Sequence, residues 1–277
     1  MEINIYHTLR VAIHIKNNTP QHIEGRKALE SELRRIGIDV VEHWTLSNSI
    51  DMMVSIGGDG TLLSAVHKIG DSGIPVVGIN FGHLGFLTTA GRDDIQKLAS
   101  CLKERRYTIE PRTMLQVMLD VQDNDEDNRR LLYALNEVYL HRREQQPLLH
   151  TQVHVDGDMV ATYAADGLIV ATPTGSTAYS LSCGGPILAP GSGSLVITPI
   201  AAHTLTQRPI ILSDDVCLRL HDEEPDITYT LGVDSYVCTM QGSSVIEIRK
   251  ASFNTHLVRI EHQNFFSALR DKLSWGV

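Results

Sequence analysis

The sequence is poor in several features that would have narrowed its function quickly. Its four cysteines, Cys101, Cys183, Cys217 and Cys238, lie far apart and form no Cys-x-x-Cys pair, so no zinc ribbon or disulfide framework is written in the spacing. No apolar run approaches the roughly 20 residues needed to span a bilayer, and no signal-like segment opens the chain. These absences predict reduced thiols in a cytoplasmic protein that engages no membrane. Basic residues are also in deficit, with 24 Lys and Arg against 33 Asp and Glu for a net charge of −9. That balance argues against a nucleic-acid binder working by phosphate neutralisation, while local donors still suit small anionic ligands.

Familiar nucleotide and hydrolase signatures are missing too. There is no Gly-x-x-x-x-Gly-Lys-Ser/Thr and no Gly-x-Gly-x-x-Gly after a strand, so neither usual phosphate loop is present. Gly-x-Ser-x-Gly is absent, which weakens a serine-hydrolase reading. The 13 histidines are scattered. His150 and His154 have the spacing of helical zinc ligands, but Leu149 to Val155 reads as a strand. On a strand the two lie roughly 13 Å apart, too far to share a metal.

What is present centres on Gly57-Gly58-Asp59-Gly60-Thr61. An apolar run, Met52 to Ile56, precedes it as a buried strand, and Leu62 to Ile69 follows with apolar residues at helical spacing. Strand, glycine turn and helix in that order aim unpaired N–H groups and a helix dipole at one point, which suits phosphate. The Asp59 carboxylate would be misplaced in a purely electrostatic cradle. It makes sense as a base that takes a proton from an attacking hydroxyl, or as a group that holds a metal on phosphates. The plain alternative is a tight turn with an exposed acid.

Strands and helices alternate through the first 112 residues. Val11–Ile15, a helix over Pro20–Ile36 ended by Gly37, Ile38–Val41, Met52–Ile56, Pro75–Asn80 and a helix over Gly91–Arg105 predict a doubly wound, mostly parallel α/β domain. Ligands bind such sheets outside the C-terminal strand ends, where the Asp59 turn and the His83 loop fall. From 113 to 262 the pattern becomes short β-branched runs between turns, an all-β domain. Leu131–Leu140 reads as one such strand and Asp123–Asp127 as a solvated hairpin loop. A terminal helix over Asn264–Leu273, within 263–277, is expected to pack back on the first domain.

Two further segments stand out. Thr172-Pro173-Thr174-Gly175-Ser176-Thr177-Ala178-Tyr179-Ser180-Leu181-Ser182 reads as a short helix near Thr177, capped by Thr174 or Ser176. Asn136-Glu137 would lie on opposite sides of a regular strand, so both can meet one ligand only at a bulge or strand end.

Taken in order, these segments resemble the NAD kinase family. The resemblance rests on Gly57–Thr61, Asn80 with Gly82–Leu87, Asn136-Glu137, Asp166–Val170, Thr172–Ser180, Gly184–Ile187, and His203–Leu205 before Arg208-Pro209-Ile210. The glycine turn alone is also similar to that of diacylglycerol and sphingosine kinases and, more distantly, phosphofructokinases. The resemblance implies NAD bound between two domains and transfer of the ATP γ-phosphoryl group to the 2′-hydroxyl of the adenosine ribose, with a divalent metal, Mg or Mn. Asp59 would be the general base, with Gly57, Gly58, Gly60 and Thr61 on the ATP phosphates. Gly60, Phe86, Asn136, Glu137 and Thr177 through Ser182 would contact NAD, that is Thr177, Ala178, Tyr179, Ser180, Leu181 and Ser182. Asp166 would accept from the nicotinamide carboxamide. Ala164 stands where many relatives carry a basic or polar group, so its contact would be main-chain. Family members are homo-oligomers, dimers or tetramers, and Ala201 to His203 is the segment expected to reach a neighbouring site.

Overall fold

A computed structural model describes residues 8–45, 49–82, 85–120, 129–260, 264–274 and 276. In chain order the elements are β1 (Arg10–His14), α1 (Pro20–Arg35), β2 (Asp39–Val41), β3 (Met52–Ile56), α2 (Asp59–Ile69), β4 (Val76–Asn80), β5 (Ala90–Gly91), α3 (Ile95–Lys103), β6 (Tyr107–Asp120), β7 (Arg129–Ala134), β8 (Glu137–Arg142), β9 (Leu149–Val155), β10 (Asp158–Ala165) and β11 (Gly167–Ala171). Then come α4 (Tyr179–Ser182), β12 (Ser194–Ile200), β13 (Ile210–Ser213), β14 (Leu218–Asp222), β15 (Thr228–Val233), β16 (Tyr236–Gln241), β17 (Val245–Ile260) and α5 (Phe265–Leu273). Two compact units divide them, Met1–Pro111 with Thr255–Val277, and Arg112–Asn254.

The first unit is α/β. Its strands run in the order β4-β3-β1-β2, all parallel, and Leu257 near the end of β17 joins Val76 on the outer side of β4. The chain moves one way from β1 to β2 and the other way from β3 to β4. The C-terminal ends of these strands therefore form the crevice where open parallel sheets take ligands. β3 and β4 are buried at every position, as a strand covered on both faces must be. Val54, Ile56, Val77 and Ile79 meet Leu29 and Leu33 of α1 and Leu98 of α3 in one core, each contributing about 1.5–3 kcal/mol of apolar burial. Thr19 caps α1 by accepting from His22 N at 3.3 Å, with Pro20 at the first helical position. α5 belongs to this unit. Of its apolar stripe only Leu269 is buried, while Phe266 is 62% exposed.

The second unit is antiparallel. One sheet runs β13-β12-β11-β8-β15-β16. The first part of β17 pairs with β14, β14 with β9, and β9 with β10. Inward side chains of both groups, such as Leu140, Leu168 and Leu231 with Val153, Leu220 and Ile246, share one core.

Several expectations need correction. Leu131–Leu140 is two strands, broken at Leu135-Asn136. The segment after Gly91 opens as a 3₁₀ turn over Arg92–Asp94 before α3, because the Asp94 carboxylate accepts from Gly91 N at 2.8 Å and tightens the entry. Neither Thr174 nor Ser176 caps a helix. A 3₁₀ turn over Gly175–Thr177 leads into α4 without a side-chain cap, and the Ser176 hydroxyl instead donates to Pro173 O and accepts from Leu188 N. At 14 and 16 residues, β6 and β17 are far longer than the short runs expected of the all-β region. His83, Leu84 and Asp123–Asp127 lie outside the described residues.

Candidate active site

In the first unit the sequence folds the glycine turn as the strand-to-helix pattern requires. Gly58 is the N-cap of α2 and Asp59 its first residue. A Cβ at Gly58 or Gly60 would meet nothing within 4 Å, so the turn keeps an open face. Half-buried, Asp59 does not point into bulk water. Its Oδ2 accepts from Phe86 N at 2.9 Å, and Oδ1 accepts from Leu87 N and Thr88 N, both at 3.3 Å. A carboxylate offers about four lone-pair positions. Among the described contacts, Oδ2 takes one bond and retains a position for a ligand hydroxyl.

The loop that holds this acid is itself held. Gly85 must be glycine, since a Cβ there would fall 1.8 Å from Asp59 Oδ1. Gly85 N donates to Thr88 Oγ1 at 2.9 Å. Behind the loop stands Arg259, from the last part of β17 and only 9% exposed. Its terminal nitrogens donate to Leu87 O at 3.3 Å and Phe86 O at 3.2 Å, and its Nε pairs with Glu110 at 3.2 Å. The same two peptides thus give their N–H groups to Asp59 and their carbonyls to Arg259. Sequence reasoning missed Arg259, whose partners lie 172 and 173 residues away. Lys272 of α5 is also within electrostatic reach of Asp59. Burial pushes its ammonium down, and the Asp59 and Asp271 carboxylates pull it back up.

Asp59 opens on a pocket of about 490 Å³, walled by Gly58, Asn80, Phe81, Gly82 and Gly85 and by Gln21 and His22 of α1. His22 lies parallel to the Phe81 ring at 6.1 Å, and Gln21 Nε2 donates to Phe81 O at 3.2 Å. The first turn of α1 was not picked out from the sequence as part of this wall. Its only clue is a helix N-terminus following a strand of the same sheet.

The second unit gathers most other predicted residues. Asn136 sits in the break between β7 and β8, and Glu137 opens β8, so the pair occupies the strand end it needed. Both are 8% exposed, and Asn136 Oδ1 and Glu137 Oε2 are buried without a hydrogen-bond partner. Burial, then the neighbouring Asp234 carboxylate, pushes Glu137 up to about 8, against one stabilising bond from the Tyr179 backbone. Glu137 is thus protonated at neutral pH, able to donate as well as accept. That Tyr179 bond also brings the Thr172–Ser182 segment to the pair. Gly175 lies against it, where a Cβ would come within 2.1 Å of Asn136 O.

Within that segment, exposure varies. Thr177, Ala178, Tyr179 and Leu181 are half-buried and Ser182 is exposed. Ser180 is fully buried, and its hydroxyl meets Thr198 Oγ1 at 2.8 Å. Asp166 forms an ion pair with Arg142. Ala164 gives its carbonyl to His203 N at 2.9 Å. Ala201 is exposed, with a left-handed backbone at φ 47°.

Two family models match this chain. The ATP-NAD kinase N-terminal domain matches residues 9–107, and the ATP-NAD kinase C-terminal domain matches residues 135–260. A protein of Flavobacterium psychrophilum named NAD kinase is 38% identical over 234 residues, 84% of this chain and 79% of that one. Its counterpart in Flavobacterium johnsoniae is 41% identical over 231 residues, 83% of this chain and 78% of that one.

The chain belongs to the NAD kinase family.

Solved structures of the family agree with the fold. Yeast NADH kinase complexed with NADH superimposes with a TM-score of 0.86 at 25% identity, covering 97% of this chain and 88% of that one. An NAD kinase from Archaeoglobus fulgidus in complex with ATP gives 0.74 at 26% identity, covering 95% and 99%. Among the described residues no helix is long and apolar enough to cross a membrane, and no three His, Cys, Asp or Glu side chains converge as a metal site.

Proposed function

We propose that this NAD kinase family member transfers the γ-phosphoryl group of ATP to the 2′-hydroxyl of the adenosine ribose of NAD, giving NADP and ADP, with Asp59 as general base. The observation that carries the reading is the Asp59 carboxylate, held by three backbone N–H groups at the mouth of a pocket and still offering an acceptor position on Oδ2. As the oxygen–phosphorus bond forms, the ribose hydroxyl proton passes to that oxygen. The γ-phosphorus leaves the β–γ bridging oxygen, which departs with ADP. Gly58 and Gly60 would take the triphosphate on main-chain N–H groups at the start of α2, with Gly57 N and Thr61 N instead donating to Ile79 O and Gly58 O to hold the turn, and the Thr61 hydroxyl left to face the phosphates.

Phosphoryl transfer has little covalent chemistry for a protein to perform, so positioning and charge neutralisation supply most of the rate. A divalent metal fits this site only as a companion of the triphosphate. Mg²⁺ is commonly held by one or two carboxylates together with substrate phosphates, and Asp59 is the carboxylate among the residues walling the pocket. When bound, such an ion neutralises charge on the transferring group. Asn136 Oδ1 and Glu137 Oε2, both lacking partners, would meet the ribose hydroxyls, with Ala178 and Tyr179 beside the adenosine. Asp166 keeps one oxygen on Arg142 and would use the other for the carboxamide. In a homo-oligomer, the Ala201–His203 segment, exposed at Ala201 and His203, would extend to a neighbouring site. Free cysteines suit a cytoplasmic setting.

Incubation with ATP, NAD and magnesium should yield NADP, and no NADP would end the proposal. Asp59→Asn should then lower kcat by about 10²–10⁴-fold, the contribution of a positioned base, while NAD binding by calorimetry stays within a few-fold. Full turnover in Asp59→Asn would remove the assigned role.

A further inference from the structure

Nothing so far explains how the break between β7 and β8 keeps its shape. Chains do not ordinarily leave three successive N–H groups unpaired in a buried place, and Leu135, Asn136 and Glu137 would do so where the ladder stops. One side chain takes all three. Asp234 Oδ2 accepts from Leu135 N at 2.7 Å, and Oδ1 accepts from Asn136 N at 2.9 Å and Glu137 N at 3.2 Å. Its own N–H donates to Glu137 O at 3.0 Å. From the other side, Thr172 Oγ1 donates to Leu135 O at 2.6 Å and Thr172 N to Asn136 O at 2.9 Å. The break is clamped on both its donor and its acceptor edges.

We infer that Asp234 is a positioning residue for dinucleotide binding: by collecting three successive backbone N–H groups it fixes the strand break from which Asn136 and Glu137 present their unpartnered oxygens to the ribose. This inference rests on the proposed NAD site. Charge-assisted bonds to an ionised acceptor are roughly twice as strong as neutral ones, so three of them on adjacent peptides define those peptides closely. Asp234 sits between β15 and β16 with φ 49°, a conformation that asparagine and glycine also accept. Substitution by either residue therefore removes the charge without forcing the turn.

Asp234 also acts on the acid it positions. Its negative charge is the second cause, after burial, that holds Glu137 protonated. The other titratable groups facing Glu137 come from α4 and its C-cap, Tyr179 and Cys183. Neither is charged at neutral pH, since burial raises both Tyr179 and Cys183. Asp234 is thus the charge by which the titration of Glu137 can be moved.

The test compares wild type, Asp234→Asn, Asp234→Gly and Glu137→Gln, measuring kcat and KM for NAD and for ATP and the pH profile of kcat/KM for NAD. Both Asp234 variants should raise the KM for NAD about tenfold and leave the KM for ATP within twofold. The limb expected near pH 8 in wild type should vanish in Glu137→Gln and move to lower pH in Asp234→Asn. A purely structural role would lower melting temperature without moving that limb. Folded variants with unchanged KM for NAD and an unmoved limb would overturn the inference, as would failure of both Asp234 variants to fold. Wild type that forms no NADP would instead indict the proposed function.

Discussion

Two aspartates in this chain are held in the same way, and the roles proposed for them differ. Asp59 and Asp234 each take one backbone N–H on Oδ2 and two on Oδ1, in each case from three consecutive residues. Asp59 starts a helix and opens on a pocket. Asp234 occupies a left-handed turn between two strands and faces the break that it ties together. On the proposed roles, coordination is equal and location alone separates a carboxylate that acts on a ligand from one that acts on its own chain. The fixing runs in opposite directions. In the first unit the peptides steady the acid, and Arg259 steadies the peptides. In the second the acid steadies the peptides.

That contrast can be broken by experiment. Gly85→Ala should have the largest effect of three, because its methyl would fall 1.8 Å from Asp59 Oδ1. Relieving that overlap moves the carboxylate by about 1 Å or more, and a misplacement of about 1 Å costs about 10²-fold when it moves a catalytic group. We expect that loss in kcat, with NAD affinity by calorimetry nearly unchanged; a loss confined to NAD affinity would remove the distinction drawn here. Arg259→Lys should follow. Lysine keeps the charge but cannot offer the planar fork that reaches Phe86 O, Leu87 O and Glu110 together. About a tenfold fall in kcat with an unaltered KM for NAD is expected in steady-state assays, and equal changes in both constants would show that the brace serves both units.

The smallest effect concerns the second region. Glu137 is raised from 4.5 to about 8, so the folded chain holds a proton that the unfolded chain releases throughout that window. Its contribution to stability is most favourable below pH 4.5 and falls as pH rises to about 8. Glu137→Gln removes this dependence. Relative to wild type, its melting temperature should rise by about 5 °C more at pH 8 than at pH 5, read by thermal unfolding at the two values. An equal difference at both would mean that Glu137 titrates normally.

The legible parts of this molecule are those in which chemistry is local. The strand, turn and helix around Asp59 are contiguous, so hydrophobic period and glycine content announce them. Asn136-Glu137 carried a geometric demand, a strand end or bulge, and the break at Leu135-Asn136 meets it although the pattern read straight through. Arg259, Glu110 and Asp234 were not legible as parts of the site, and Thr172, though inside a segment singled out, gave no sign of its bond to Leu135. The partners of their side chains lie between 37 and 173 residues away along the chain, and an isolated Arg or Asp in a strand-rich stretch looks like surface. In β17, Arg249-Lys250 interrupts the apolar alternation, although the strand continues through them to Ile260. Polar residues at two exposed positions do not stop a ladder whose backbone is paired farther along.

Arg259 has a consequence for synthesis. The glycine turn and the 85–88 loop emerge from the ribosome early, but the guanidinium that secures the loop follows only near residue 259 of 277. A nascent chain or a truncated fragment would carry the whole signature without the fastening that steadies its acid. With Asp59 as the base proposed above, competence would be acquired only after residue 259 has been made, and partly made copies of this polypeptide would stay chemically quiet.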